Sequence, residues 1–485
     1  MGGLEAIVAP SGYGGRKVKP EAMQVQPASP IESNRARYYA FALVTSLFFT
    51  WGFAYGLLDV LNKHFQSIFN ISHTQTTLMQ VAYFGAYFVF AIPAGQFSSR
   101  FGYKRLIYVG LSLYALGAFM FWPSAVTKKY YGFVLSTVVI GAGLVSLEVA
   151  ANSYISVLGP PHQAAMRLTF AQARTDAFQA VAAFTGPLIA SRAFFHGENQ
   201  NNLHTVQYVY LGVGLLGICL IVLFFFCKLP EITEAQLQEN LEATGAEVKP
   251  LWKQWHTLFG AFTQFCYVGA QVALASFVLF YITEDPYLKT RFTSSEASNM
   301  FSYMQITFML GRFVSTPLLQ YMEPDLQLLI WGGMTAIFSL VAALTGGRAG
   351  LASLFIVFFF ESSQFPIIFC LGTSNLGKWT KRGSSLLVMG VGGGAAFPPA
   401  QGAVADSINS VRSYIIPFIG YMVVVVYSSG MIIARKRATA RAAALIDAEG
   451  GVRAADDKDR SSVSDSEKKV EDERRENVTS SAVPV

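Results

Sequence analysis

The chain has 485 residues, of which 52% are hydrophobic and only 14% charged, with a net charge of +6. A soluble domain carries roughly 25% charged residues, so this composition excludes an ordinary soluble enzyme, a disordered chain and a disulfide-stapled miniprotein. What remains is a polytopic membrane protein, in which basic residues sit between apolar stretches rather than on one nucleic-acid-binding face.

A bilayer core about 30 Å thick needs roughly 20 apolar residues of helix. Residues 1–35 are polar and read as a disordered cytosolic tail with no signal-peptide core. The first apolar stretch, "YYAFALVTSLFFTWGFAYGLLDV", follows it. Further spans are expected at about 76–98, 105–124, 130–157, 167–194 and 206–228. A polar, acidic linker then covers residues 230–252. A second set is expected at about 255–283, 297–320, 327–345, 350–373, 384–405 and 412–434. Residues 437–485 are charged and read as a second disordered cytosolic tail. The expected fold is all-α, with twelve transmembrane helices in two six-helix bundles, 36–229 and 253–436. This organisation resembles the major facilitator superfamily, in which substrate binds between two related halves near the midplane.

Short-loop basic residues set the orientation. Arg100, Lys104 and Arg105, then Lys378, Lys381 and Arg382, then Arg435, Lys436 and Arg437 share one side if both termini are cytosolic. The other side carries Lys63, Lys128, Lys129, Lys289, Arg291 and Arg412, so the bias is moderate. Cys219, Cys227, Cys266 and Cys370 form no CxxC or metal spacing and read as small hydrophobes in helix packing. The six histidines form no HExxH pair, and no GKS or GKT follows the Gly runs, so no metal and no cofactor is expected. Runs such as "VMGVGGGAAFPP" read as close helix packing and bending.

An ionisable side chain at mid-membrane costs about 2.5–3.5 kcal/mol on insertion scales, so each is a functional candidate. The candidates are Asp59, Glu148, Arg174, Asp176 and Glu361, with Arg312 and Asp406 nearer span ends. Trp51, Tyr55, Asp59 and Asn62 recur at helical spacing and share a face, although Asp59 could equally sit at the interface, where a carboxylate is cheap. Glu148 lies well inside span four, with Asn152 one turn later on the same face. Apolar surroundings disfavour the charged form of a carboxyl group, so Glu148 can take up and release a proton near neutral pH. The alternative is a static contact between helices.

The remaining polar residues of the spans are mostly neutral. Gln172, Thr175, Asp176 and Gln179 share a face of span five, and Gln264, Tyr267 and Gln271 a face of span seven. Span eight offers Asn299 and Tyr303, and span ten Glu361, Gln364 and Asn375. Amides and hydroxyls both donate and accept, which suits a neutral polyol such as a sugar. A polyanion would need several central cations, and only Arg174 is there. Each amide taken singly could equally be helix-packing glue.

The segments "SLFFTWGFAYGLLDVLNKHFQ", "AYFGAYFVFAIPAGQ", "GAGLVSLEVAANSYISVLGP", "QFCYVGAQVALASFVLFY", "QFPIIFCLGTSNLG" and "GSSLLVMGVGGG" resemble the fucose–proton symporter family of that superfamily. They touch both halves of the chain. The resemblance implies that Asp59 and Glu148 bear proton coupling and sugar recognition, and that span five supplies polar groups to the cavity. Gln172 keeps one of these groups, and Thr175 stands where the family has Asn. Phe365 precedes Pro366 where the bacterial pattern has Tyr, and Glu361 and Arg174 replace apolar residues. These departures put L-fucose itself in doubt. Ser99 stands where many superfamily members have Asp.

The leading expectation is therefore a multi-pass transporter, not an enzyme, that moves a monosaccharide (an L-fucose-like deoxyhexose or a hexose) with a proton by alternating access across the plasma membrane. Its partners are the sugar, the proton and the lipid bilayer, with neither nucleic acid nor an obligate protein partner expected. A facilitative sugar uniporter of the same fold is the alternative, and a non-transporting sugar sensor a further one. No nucleophile–base pair or GxSxG motif supports an enzyme.

Overall fold

A computed structural model describes residues 35–48, 50, 73–159, 163–173, 204–227, 229–243 and 249–440. All the regular structure among them is helical. In chain order the helices are α1 (35–48), α2 (His73–Phe101), α3 (Tyr103–Thr127), α4 (Tyr130–Val157), α5 (164–173) and α6 (His204–Phe226). A short α7 (Glu234–Ala243) lies within the polar linker. Then come α8 (Trp255–Glu284), α9 (Ser294–Leu318), α10 (Pro324–Thr345), α11 (Gly347–Glu361), α12 (Gln364–Thr373), α13 (Thr380–Met389), α14 (Phe397–Ser407) and α15 (415–440).

Eight stretches among the described residues are long and apolar enough to cross a membrane. They include Leu78–Phe101, Tyr130–Val157, Trp255–Glu284 and Arg412–Ala440, within a few residues of the expected bounds. Helix α9 has the length, at 25 residues, but a more polar composition. The eleventh span is broken. With the described parts of the first and fifth, the twelve-helix fold is accounted for.

Small residues let the helices approach closely. Between α3 and α4, a Cβ added at Gly143 would lie 2.5 Å from the Tyr114 backbone nitrogen, and one at Gly110 would lie 3.0 Å from the Gly143 carbonyl oxygen. Tyrosine hydroxyls stitch the helices at several levels by donating to backbone carbonyls of other segments. Tyr154 reaches Pro230 (2.9 Å), Tyr281 reaches Ala342 (2.8 Å), Tyr414 reaches Leu274 (3.1 Å) and Tyr427 reaches His256 (3.0 Å). Those inside the bilayer have no water competing for them.

Two spans of the second half differ from the unbroken helices expected of them. The tenth pauses at Ser362 and Ser363, between α11 and α12. The carbonyls freed there find donors: the Tyr267 hydroxyl bonds Glu361 O at 2.8 Å and Arg312 Nε bonds Ser362 O at 2.6 Å. The eleventh span passes through a 3₁₀ segment, Gly390–Ala395, before α14. Its sequence explains this. Four glycines weaken the helix, and Pro398 and Pro399 lack the N–H groups that would continue it. A stretch of 3₁₀ inside a span is a common hinge.

At the basic end, α2 packs on α13. Gly95 lies so close to Ser385 that a Cβ would collide with its side chain. Glu231, just after span six, accepts from the backbone N–H of Tyr103 at 2.7 Å. The same carboxylate pairs with Lys381 at 3.6 Å, and Lys381 also donates to Ser98 O at 3.3 Å. The Lys381 ammonium sits 4.3 Å from the Tyr103 ring centroid. Gly102, with φ +90°, is the residue that admits the carboxylate so near.

Candidate functional site

The expected face of α4 is present. Glu148 and Asn152 are both buried, and Asn152 Nδ2 donates to Glu148 Oε1 at 3.4 Å. Their i, i+4 spacing makes this contact local. Helix α5 brings a third group that spacing could not place: Gln172 Nε2 donates to Asn152 Oδ1 at 3.4 Å. The result is a buried chain of amides ending on a carboxyl group. Among the described residues its far oxygen, Glu148 Oε2, has no hydrogen bond of good geometry. Buried polar atoms in folded proteins are overwhelmingly paired, so this one is an exception that asks for a reason.

Helix α2 supplies a residue the sequence reading missed. The Tyr87 hydroxyl is fully buried and lies within reach of the Glu148 carboxyl group, to which it is the nearest donor from another described helix. Tyr83 stands one turn away, with ring centroids 5.7 Å apart. The signal was available as two tyrosines at i, i+4 in "YFGAYF", but an aromatic at helical spacing is more often core.

A second polar cluster forms in the other half. Glu361 is 1% exposed, and the Tyr421 hydroxyl of α15 donates to its Oε2 at 2.5 Å. Arg312 lies within electrostatic reach of Glu361 and over the Phe308 ring at 5.0 Å. Gln364 Nε2 donates to Thr335 Oγ1 at 2.8 Å and to Phe360 O at 3.2 Å. Gln264 is fully buried, and neither atom of its amide has a partner among the described residues. Tyr421 escaped the sequence reading because nothing in "IGYMVVVVY" marks one tyrosine from another.

The other expected residues spread out. Gln271 is half-buried and Tyr303 is 53% exposed on α9. Asn375 adopts the left-handed region (φ +55°) in the turn after α12, three residues before Lys378 and away from the helix break. Tyr55, Asp59, Arg174, Thr175, Asp176 and Gln179 lie outside the described residues.

Taken together, the described residues of the buried centre offer a carboxyl group with spare hydrogen-bonding capacity, neutral amides and hydroxyls. Such groups can hold a neutral hydroxylated ligand and exchange a proton.

Comparison with known proteins gives the same picture. Residues 40–434 match the profile of the Major Facilitator Superfamily. The glucose/galactose transporter of Brucella abortus biovar 1 is 33% identical over 398 residues, spanning 82% of this chain and 95% of that protein. The L-fucose-proton symporter of Escherichia coli K12 is 32% identical over 413 residues, spanning 81% of this chain and 93% of that protein. The crystal structure of the E. coli fucose:proton symporter FucP in the outward conformation superposes with a TM-score of 0.71 at 31% identity. That match covers 82% of this chain and 99% of FucP.

Proposed function

This chain belongs to the major facilitator superfamily, and from that premise we propose that it carries a neutral monosaccharide across the membrane together with a proton. The relatives that share about a third of its sequence are named for L-fucose with a proton and for glucose and galactose. The observation that carries the reading is Glu148: a buried carboxyl group with one oxygen held by Asn152, the Tyr87 hydroxyl within reach, and no well-formed hydrogen bond on the other oxygen among the described residues.

The mechanism follows from the cost of charge in an apolar medium. A protonated Glu148 is neutral, so the buried centre is cheap to close around. Its carboxylic acid donates one hydrogen bond and accepts others, as does a sugar hydroxyl. Asn152 and Gln172 orient the group through the amide chain. Sugar and proton bind while the centre faces outward. Rocking of the two halves then exposes the centre to the other side, where both leave. Asp59, in span one, is the second coupling carboxylate in this reading. Sugar contacts come from Tyr55, Thr175, Gln271, Tyr303 and Asn375 alongside the buried residues described above. Both termini face the cytosol on the basic-loop argument, and the plasma membrane is taken as the membrane crossed.

The test is uptake into liposomes holding the purified protein. Wild type concentrates sugar when the outside is made acidic, and Glu148→Gln loses this accumulation while keeping sugar exchange. Accumulation undiminished in both Glu148→Ala and Asp59→Ala overturns the coupling. Sugar entry that only equilibrates in wild type, untouched by a protonophore, makes the protein a uniporter.

A further inference from the structure

A cavity of about 610 Å³ opens between the segment leading into α9 and the first turns of α11. Its walls are Arg291, Phe292, Arg348, Leu351, Ala352 and Phe355. The volume is that of a small-molecule pocket. The lining joins two chemistries, cationic and apolar, and the helix separates them by depth.

Arg348, Leu351, Ala352 and Phe355 stand at i, i+3, i+4 and i+7, so they share one face of α11. Arg348 follows the first residue of the helix, and Phe355 lies about 10 Å further along it. The apolar stretch that α11 opens runs Gly347–Thr373. The charged end of the cavity is therefore at the membrane surface and the aromatic end in the acyl layer. The opposite face of α11 meets α8, where Gly350 packs on the Tyr281 hydroxyl and the Tyr267 hydroxyl donates to Glu361 O. The cavity thus faces away from the polar centre of the bundle.

The two arginines come from different loops, and the fold brings them together. Asp285 accepts from the N–H groups of Tyr287 and Leu288 at 2.9 Å each, and from the Gly347 N–H at 3.1 Å. One carboxylate thereby ties the loop after α8 to the turn before α11. Both guanidinium groups then lie over one ring: Arg291 Cζ is 4.5 Å and Arg348 Cζ 5.9 Å from the Tyr287 centroid. Stacking engages the face of a guanidinium and leaves its N–H edge for a ligand. Neither group forms a hydrogen bond or an ion pair among the described residues. The neighbouring acids are already committed, Asp285 as above and Glu296 to the cap of α9 with Thr293. Two like charges gathered on one ring call for an anion.

We propose that this cavity binds an anionic phospholipid, its phosphodiester on Arg291 and Arg348 and the start of an acyl chain along Leu351, Ala352 and Phe355. Guanidinium edges match phosphate oxygens in pairs. A basic pocket between the ends of membrane helices is the usual seat of an anionic headgroup. A soluble phosphate would engage the arginines and leave the apolar wall bare. A zwitterionic headgroup would bring a further cation beside the two already there. The bound lipid clasps the loop after α8 to α11 from outside the bundle. This site is separate from the transport reading and does not depend on which solute is carried.

The test is native mass spectrometry of the purified protein in detergent, with dioleoylphosphatidylglycerol, dioleoylphosphatidylcholine and glycerol phosphate as probes. Wild type is expected to retain one phosphatidylglycerol in preference to phosphatidylcholine. Arg291→Gln combined with Arg348→Gln is expected to weaken that binding about tenfold, the worth of a lost charge-assisted hydrogen bond. Ala352→Trp keeps both arginines, fills the apolar wall, and is expected to weaken it by a similar factor. Phosphatidylglycerol should also raise the unfolding temperature of wild type and not that of the double variant, a readout that holds even where a variant is less stable alone. Equal retention by all three proteins overturns the site. Full retention by Ala352→Trp, or displacement of the lipid by glycerol phosphate, makes it a site for soluble anions and overturns the lipid. Phosphatidylcholine held as tightly as phosphatidylglycerol overturns the anionic headgroup.

Discussion

Two buried glutamates face the interior of this molecule, one in each half, and they are held in opposite ways. Glu361 stands at a helix break, where Tyr421 donates to its carboxylate and Tyr267 to its backbone carbonyl. Glu148 lies within an unbroken helix of 28 residues, with a 3.4 Å amide contact, the Tyr87 hydroxyl within reach, and an oxygen with no well-formed hydrogen bond among the described residues. Burial is the same for both, at 1% and 9% exposure, so depth alone does not separate them. Commitment does. A carboxyl group tied to hydrogen-bond donors resists a change of protonation or position, whereas one with spare capacity can serve a ligand and a proton in turn. The first reads as a clasp between helices, the second as the working group.

The largest expected effect tests the second half of that comparison. Glu148→Gln keeps the shape and the contact with Asn152 but cannot ionise. It should abolish pH-driven accumulation in liposomes and leave equilibrium sugar exchange in place. The next effect tests the clasp. Tyr421→Phe removes one buried hydrogen bond and should lower stability by about 1–3 kcal/mol, seen as earlier thermal unfolding in detergent. Accumulation per folded molecule should stay near wild type. If Tyr421→Phe instead abolishes accumulation while unfolding at the wild-type temperature, Glu361 is a working group as well and the contrast fails.

A smaller effect is expected at the basic end. Glu231 is 38% exposed but its partner Lys381 only 3%, so Glu231→Gln, which keeps an acceptor but removes the counter-charge of a buried ammonium, should cost about 1–2 kcal/mol. The pair nonetheless joins the segment after span six to the start of the eleventh span. A Ser385→Cys probe, packed against Gly95, should therefore react faster with a thiol reagent in the Glu231→Gln background. An unchanged labelling rate would make the pair a passive surface contact.

The sequence by itself determined the spans, and with them the class. Apolar stretches of bilayer length are a one-dimensional property, because a helix satisfies its own backbone and needs no partner to cross lipid. It also determined local pairs such as Glu148 with Asn152, since one turn of helix fixes that neighbour. What only the tertiary structure decided is which polar groups are spent and which are spare. Gln264 and Gln364 look alike in the sequence, yet Gln364 is bonded to Thr335 from a different span and Gln264 to none of the described residues. Tyr87 beside Glu148, Tyr421 on Glu361 and Lys381 on Glu231 join residues that are 60 to 150 positions apart. A hydrogen bond is a matter of a few ångströms in space, and no spacing along the chain encodes it across helices.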